Sequence, residues 1–334
     1  MARRGRVSLW WAVAVLVAAA VVAWFVPTGD VAYVPGVTGN LRQMVRVAGA
    51  HPAPAGRMLM VAIGLVPVNA LLYLPFLWNP ADELKPNAQV FGDTTMQEFV
   101  SLNYAMMDQS QMLAAVKGEH LAGLNSRIET LPGAEVEGIL AGGSAVGRLR
   151  PGDRILKVDG QAVPTLTALR AALLKYRVGA TVRLTVARGR KTLDVPIKLY
   201  HLAGDRAPAV GIAVGQGLRF VLPRAVHFYV SNIGGPSAGM MFALEVYQQI
   251  TGRNLSRGRV VAGTGELAAN GAILPIGGVG QKVATVAAAG ARLFLCPQQN
   301  YAKAVATAHA LGLHLQIRPV TTLRQALNIL VTTS

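Results

Sequence analysis

Residues Leu9–Val26 (LWWAVAVLVAAAVVAWFV) are eighteen successive positions without a charge. Such a run leaves a chain few options. It is close to the length that spans roughly 30 Å of hydrocarbon at 1.5 Å per residue, so the expectation is a transmembrane helix. Arg3, Arg4 and Arg6 precede it, which by the positive-inside rule keeps the N-terminus cytoplasmic and sends the following chain outside. Trp10, Trp11 and Trp24 suit the two interfacial belts. A cleaved signal peptide fits less well, because the stretch is long and no small-x-small site precedes Pro27. Composition agrees: the chain is 52% hydrophobic and 14% charged, against a norm of about 25% charged. The location read from this is a single-pass membrane protein with the bilayer as one partner and residues after 27 extracytoplasmic.

A second apolar run, Met58–Trp78, is interrupted by Gly64, Pro67, Asn69 and Pro75. Two prolines in a lipid-exposed helix would leave backbone carbonyls unpaired. The run therefore reads as a buried strand, Met58–Val66, followed by a short amphipathic element. Thr95 with Glu98 has capping-box spacing and opens an apolar-periodic helix reaching about His120. Glu119 and His120 form no metal motif and read as exposed helix residues. Of the net charge of +16 all but one unit lies in residues 126–334, yet the basic positions are scattered and lack interleaved aromatics, which counts against nucleic acid. One cysteine, Cys296, excludes an internal disulfide framework and a multi-cysteine metal site. No cofactor or metal pattern is present.

From Arg127 to Tyr200 the pattern is strands, tight turns and one helix. Arg150-Pro-Gly-Asp153 and Val158-Asp-Gly160 are turns flanking a short apolar strand, a helix runs from about Thr167 to Tyr176, and two strands follow. The stretch LRPGDRILKVDGQAV resembles a bacterial PDZ domain. Such domains bind an extended peptide, or its terminal carboxylate, by adding a strand to a sheet edge. The resemblance places the carboxylate-accepting loop at Pro132 and Gly133, just before a strand Ala134–Leu140.

In the C-terminal third, an apolar strand leads into Gly234-Gly-Pro-Ser-Ala-Gly239 and then a helix-periodic segment. Ser237 thus sits at a strand-to-helix turn, where free first-turn amides face any negative charge developing beside its hydroxyl. A serine there is also a common helix cap. Forty-five residues on, Gly277-Gly-Val-Gly280 leads into Lys282 at the start of an Ala-rich helix. Its neighbours Val279, Val283 and Ala284 are apolar, so its pKa is expected below that of a free lysine and the amine can act as a general base. The GPSAG box together with GTGELAANGAILPIGGVGQKV resembles the Lon-type serine protease domain. That resemblance makes Ser237 the nucleophile, Lys282 the base and Thr264 a hydroxyl that positions the lysine, with the Ser237 amide in the oxyanion hole. Gly234 departs from it, since many Lon proteases carry aspartate there. His227 reads as a packing or groove residue.

The order anchor, PDZ module, protease domain is similar to the bacterial membrane-anchored, PDZ-containing Lon-like proteases. No G-x-x-x-x-G-K-[ST] occurs, so proteolysis independent of ATP on extended or unfolded protein substrates is expected. The resemblance also implies a homo-oligomer. The fold class expected is an α+β multidomain chain: a tip and transmembrane helix (1–27), a connecting region with a strand and a long helix (28–125), a PDZ-like domain (126–200) and a Lon-type α/β protease domain (205–334). Two other readings stand beside it. G-x-S-x-G is also the nucleophile elbow of α/β-hydrolases, with Glu266 and His309 or His314 completing a formal triad, and an inactive PDZ scaffold would carry the same motifs without chemistry.

Overall fold

The computed structural model describes residues 3–52, 55–92, 94–140, 143–201 and 207–332, with side chains in the first helix from Trp10 onward. Two compact units emerge: Met1–Ser126 together with Leu222–Ser334, and Arg127–Val221. The first unit opens with α1 (Arg3–Phe25), β1 (Pro27–Asn40), α2 (Leu41–Met44), β2 (Val45–Val47), β3 (Arg57–Asn69), α3 (Ala70–Trp78), β4 (Glu83–Pro86), α4 (Asn87–Phe91) and α5 (Met96–Leu121). The second holds β5 (Arg127–Ile139), β6 (Arg154–Val158), β7 (Gln161–Ala162), α6 (Leu166–Leu173), β8 (Thr181–Arg188), β9 (Lys191–Lys198), β10 (Tyr200–His201), β11 (Pro208–Ala209) and β12 (Ile212–Val221). The chain then returns to the first unit through β13 (Val226–Phe228), α7 (Gly239–Thr251), β14 (Val260–Gly263), β15 (Glu266–Leu267), β16 (Ile273–Leu274), α8 (Val279–Ala288), β17 (Leu293–Pro297), α9 (Tyr301–Ala310), β18 (Gln316–Val320) and α10 (Leu323–Thr332).

Among the described residues no helix is long and apolar enough to cross a membrane. This overturns the expected N-terminal transmembrane helix, and with it the single-pass location and the bilayer partnership. The second apolar run is divided between β3 and α3. Asn69 ends the strand, and its side chain accepts the Leu72 N–H to cap the helix. α3 contains Pro75 and buries no residue, so it lacks the core-facing side expected of an amphipathic element.

The main sheet of the first unit has the order β18-β17-β14-β3-β1-β4. β1 and β3 form a long antiparallel pair, whereas β14, β17 and β18 run parallel to one another and to β3. Parallel neighbours need crossovers, supplied here by α8 and α9. Against this sheet lies α7, buried at every position from Gly239 to Ile250. A helix buried all round must satisfy its own polar side chains. Gln249 does so by donating to Val45 O and to Glu245 and by accepting the Val47 N–H. β2 is thereby tied to α7, and β2 in turn pairs with β13.

α5 begins with the capping box: Thr95 Oγ1 accepts the Glu98 N–H, and Glu98 accepts the Thr95 N–H. It packs on α7 inside the first unit, so the segment 28–125 supplies β1, β3 and α5 to the same body as the C-terminal residues. Glu119, expected exposed, is buried and accepts the Arg224 N–H at 2.9 Å. His120 is exposed.

The second unit is a sheet of order β12-β5-β6-β8-β9, with β7 beside β6. Ile155, Val182, Leu184, Val186 and Ile197 centre its core. Asp153, at the end of the Arg150 turn, is buried, accepts the Arg150 N–H and receives both ends of the Arg188 guanidinium. β12 pairs with β5 from Ile212↔Ile139 to Val221↔Arg127. The unit therefore runs to Val221, past the end expected at 200 and into the range assigned to the protease domain from 205. Pro132 and Gly133 lie within β5, not in a loop before it. The register with β12 jumps there, as at a β-bulge. Gly133 takes φ +103°, and its N–H donates to Pro164 O at 3.0 Å, while Pro132 O accepts from Arg154. The Gly133 amide is spent inside the fold and is not free for a carboxylate.

Candidate active site

Every residue of this site belongs to the first unit. After β13 the chain passes through a loop whose Gly235, at φ +87°, donates its N–H to Asn103 O on α5. Ser237 follows, one residue before Ala238, the N-cap of α7. Ala238 makes no side-chain cap, and the Ser237 hydroxyl, outside the helix start, meets a side chain of α8 instead. Lys282 lies in the first turn of α8, whose N-cap Gly278 is left-handed. Its side chain reaches inward: Nζ is 2.7 Å from Ser237 Oγ and 2.9 Å from Thr264 Oγ1.

Thr264 follows β14 directly and is fully buried. Its N–H donates to Leu295 O and its hydroxyl to Ser237 O at 3.1 Å. The Gly265 N–H donates to the same carbonyl at 2.7 Å. Thr264 thus touches both members of the pair, accepting from the lysine and holding the backbone of the serine.

Lys282 is only 2% exposed. Burial pushes its pKa down to about 7, because a low-dielectric surround penalises the ammonium and not the neutral amine. Among the described residues the partners of Nζ are two hydroxyls and no carboxylate. A neutral amine 2.7 Å from a serine hydroxyl can accept its proton, which is the geometry of an activated nucleophile. Both residues open onto a cavity of about 380 Å³, lined on its apolar side by Met60, Ile63, Phe99, Tyr104 and Met107.

Gly234, where an aspartate was the family expectation, is pressed against α5. A Cβ added there would stand 2.8 Å from Asn103 Cβ. The slot for a carboxylate is filled by the helix. Glu266 is in β15, His309 and His314 are exposed on and after α9, and His227 is exposed on β13; none of them is a partner of Ser237. Cys296 is buried in β17, its thiol pushed up to about 12 by burial, so it is an inert packing residue. Among the described residues no group of three or more His, Cys, Asp or Glu is placed to hold a metal ion. Sequence reasoning passes over Asn103 and Ser110. Both sit in α5, more than 120 residues before the loop they touch, and no local pattern marks them.

Residues 225–333 match the Lon protease (S16) C-terminal proteolytic domain, and residues 116–199 match the PDZ domain. A Lon protease of Roseiflexus castenholzii is 31% identical over 180 residues, covering 52% of this chain and 20% of that protein. Lon protease 1 of Herpetosiphon aurantiacus is 46% identical over 68 residues, covering 20% of this chain and 8% of its own length. The solved PDZ domain of an SdrC-like protein from Listeria monocytogenes is 27% identical, covering 26% of this chain and 90% of its own, at a TM-score of 0.25. The chain spans a fifth or less of the length of these two Lon proteases.

Proposed function

We propose that this chain is a serine endopeptidase in which Ser237 is the nucleophile and Lys282 the general base. The observation that carries the reading is the 2.7 Å approach of a buried lysine to the Ser237 hydroxyl. In the forward step Ser237 Oγ attacks the scissile carbonyl as its proton passes to the neutral Nζ, and the Ser237 N–H faces the oxyanion. The lysine then returns the proton to the leaving amine, and water, activated by the same Nζ, hydrolyses the acyl-enzyme. Thr264, hydrogen-bonded to both residues, keeps Nζ directed at Oγ.

Substrates are extended or unfolded protein segments. β14 pairs with β3 only as far as Leu59, and from Met60 onward that side of β3 borders the catalytic cavity, where an extended backbone fits. Cleavage is independent of nucleotide, because the peptidase step runs through the Ser237 hydroxyl and the Lys282 amine alone. Among the described residues of the second unit, β12 ends the sheet and is paired on one side only, with β5. Its open edge is the place for a peptide strand, in preference to Pro132 and Gly133.

A fluorophosphonate probe and an unfolded protein substrate test the reading. Wild type should be labelled at Ser237 and cleave the substrate equally before and after apyrase treatment. Ser237→Ala and Lys282→Arg should each lose cleavage, because an arginine never becomes a neutral base. The rate should rise with pH through about 7. Activity surviving in Lys282→Ala but lost in His309→Ala or His314→Ala would transfer the chemistry to a hydrolase triad, and an unlabelled, inactive wild type would leave a scaffold.

A further inference from the structure

We propose that Ser110 is a positioning residue for catalysis: by holding Pro236 O it aims the Ser237 N–H at the oxyanion. The inference rests on the peptidase reading above.

Ser110 lies in the middle of α5 and is 5% exposed. A serine inside a helix commonly turns its hydroxyl back to a carbonyl of the preceding turn. Ser110 instead donates to Pro236 O at 3.1 Å, a carbonyl 126 residues further along the chain. The same carbonyl accepts the Gly239 N–H at 3.2 Å.

The consequence comes from peptide geometry. The group joining Pro236 to Ser237 is planar and trans, so its C=O and N–H point in opposite directions. Drawing Pro236 O toward α5 and the first turn of α7 turns the Ser237 N–H the other way. That N–H has no acceptor among the described residues, and Ser237 borders the cavity. On its far side the Ser237 carbonyl is held by the Gly265 N–H and the Thr264 hydroxyl. Both peptide planes around the nucleophile are therefore anchored, and Ser110 is the side chain that anchors the first. The fit is close: a Cβ at Gly239 would stand 2.6 Å from Ser110 Oγ.

Removing an oxyanion donor outright typically lowers kcat by about 10² to 10³. Ser110→Ala leaves the donor in place but loosens its direction, so a fall of about tenfold to a hundredfold is expected, with KM within about twofold. The discriminating measurement compares two inhibitors on the full chain. A peptide boronate forms a tetrahedral adduct at Ser237 and uses the oxyanion donor, whereas the cleaved product peptide does not. Ser110→Ala should weaken the boronate by the same factor as kcat and leave the product peptide unchanged. Ser110→Cys, close in shape and a weak donor, should fall between, and it carries the test if the alanine variant does not fold. A kcat within twofold of wild type, or an equal loss of affinity for both inhibitors, overturns the proposal. Ser237→Ala is read separately: its loss of probe labelling tests the dyad and not the role of Ser110.

Discussion

Replacing Lys282 by methionine should abolish activity and make the protein more stable. The side chain is 2% exposed and its pKa is lowered to about 7 by burial, against about 10.4 for a free lysine. Each pKa unit is 1.36 kcal/mol, so at or below pH 7 the difference corresponds to roughly 5 kcal/mol of destabilisation. Methionine keeps the length and removes that penalty. It also forfeits the contacts to Ser237 Oγ and Thr264 Oγ1, worth about 1–3 kcal/mol together. A net gain of about 2–4 kcal/mol at pH 7 results. The sign follows from proton counting: between about 7 and 10.4 the unfolded chain holds the proton and the folded protein does not, so this group makes wild-type stability rise with pH across that window and leaves it level on either side. The advantage of Lys282→Met should accordingly be greatest at pH 7 and below, and shrink as pH rises toward 10. Urea unfolding of both proteins at intervals from pH 6 to 10 measures it. A stability difference that does not change with pH, or a variant less stable than wild type at pH 7, would refute the argument that Lys282 is buried as a neutral amine.

Two further substitutions probe backbone placement. Gly234→Asp, which restores the residue common in Lon proteases, should lower stability by about 1–3 kcal/mol in urea unfolding, because its Cβ meets Asn103 Cβ at 2.8 Å; wild-type stability would mean that α5 does not press on the loop. Gly133→Ala should cost about 2 kcal/mol or more, since φ is +103° and its Cβ would stand 2.5 Å from Ile155 O. Gly152→Ala, left-handed but with open space around it, should cost about 1–2 kcal/mol, and equal losses at the two sites would place Gly133 in a free loop after all.

What this sequence determines by itself is what short segments can encode. Ser237 sits in a glycine-rich turn before a helix and Lys282 among apolar neighbours at a helix start, and each signal is complete within about ten residues. The same holds for the Thr95 capping box and the strand-and-turn pattern around Asp153. Length and hydropathy misled at the N-terminus, where an uncharged run reads as a membrane span and yet no described helix is long and apolar enough to cross one. Tertiary structure alone decided the rest. Pro132 and Gly133 became a bulge because β12, some 80 residues later, pairs along β5. Glu119 is buried because the Arg224 amide meets it. Thr264 bridges serine and lysine because the chain leaving β14 brings its hydroxyl to both. Ser110 reaches Pro236 across a chain separation that contains the whole second unit. Such contacts have no sequence signature, because they are set by packing between distant segments and not by the conformational preferences of any one of them.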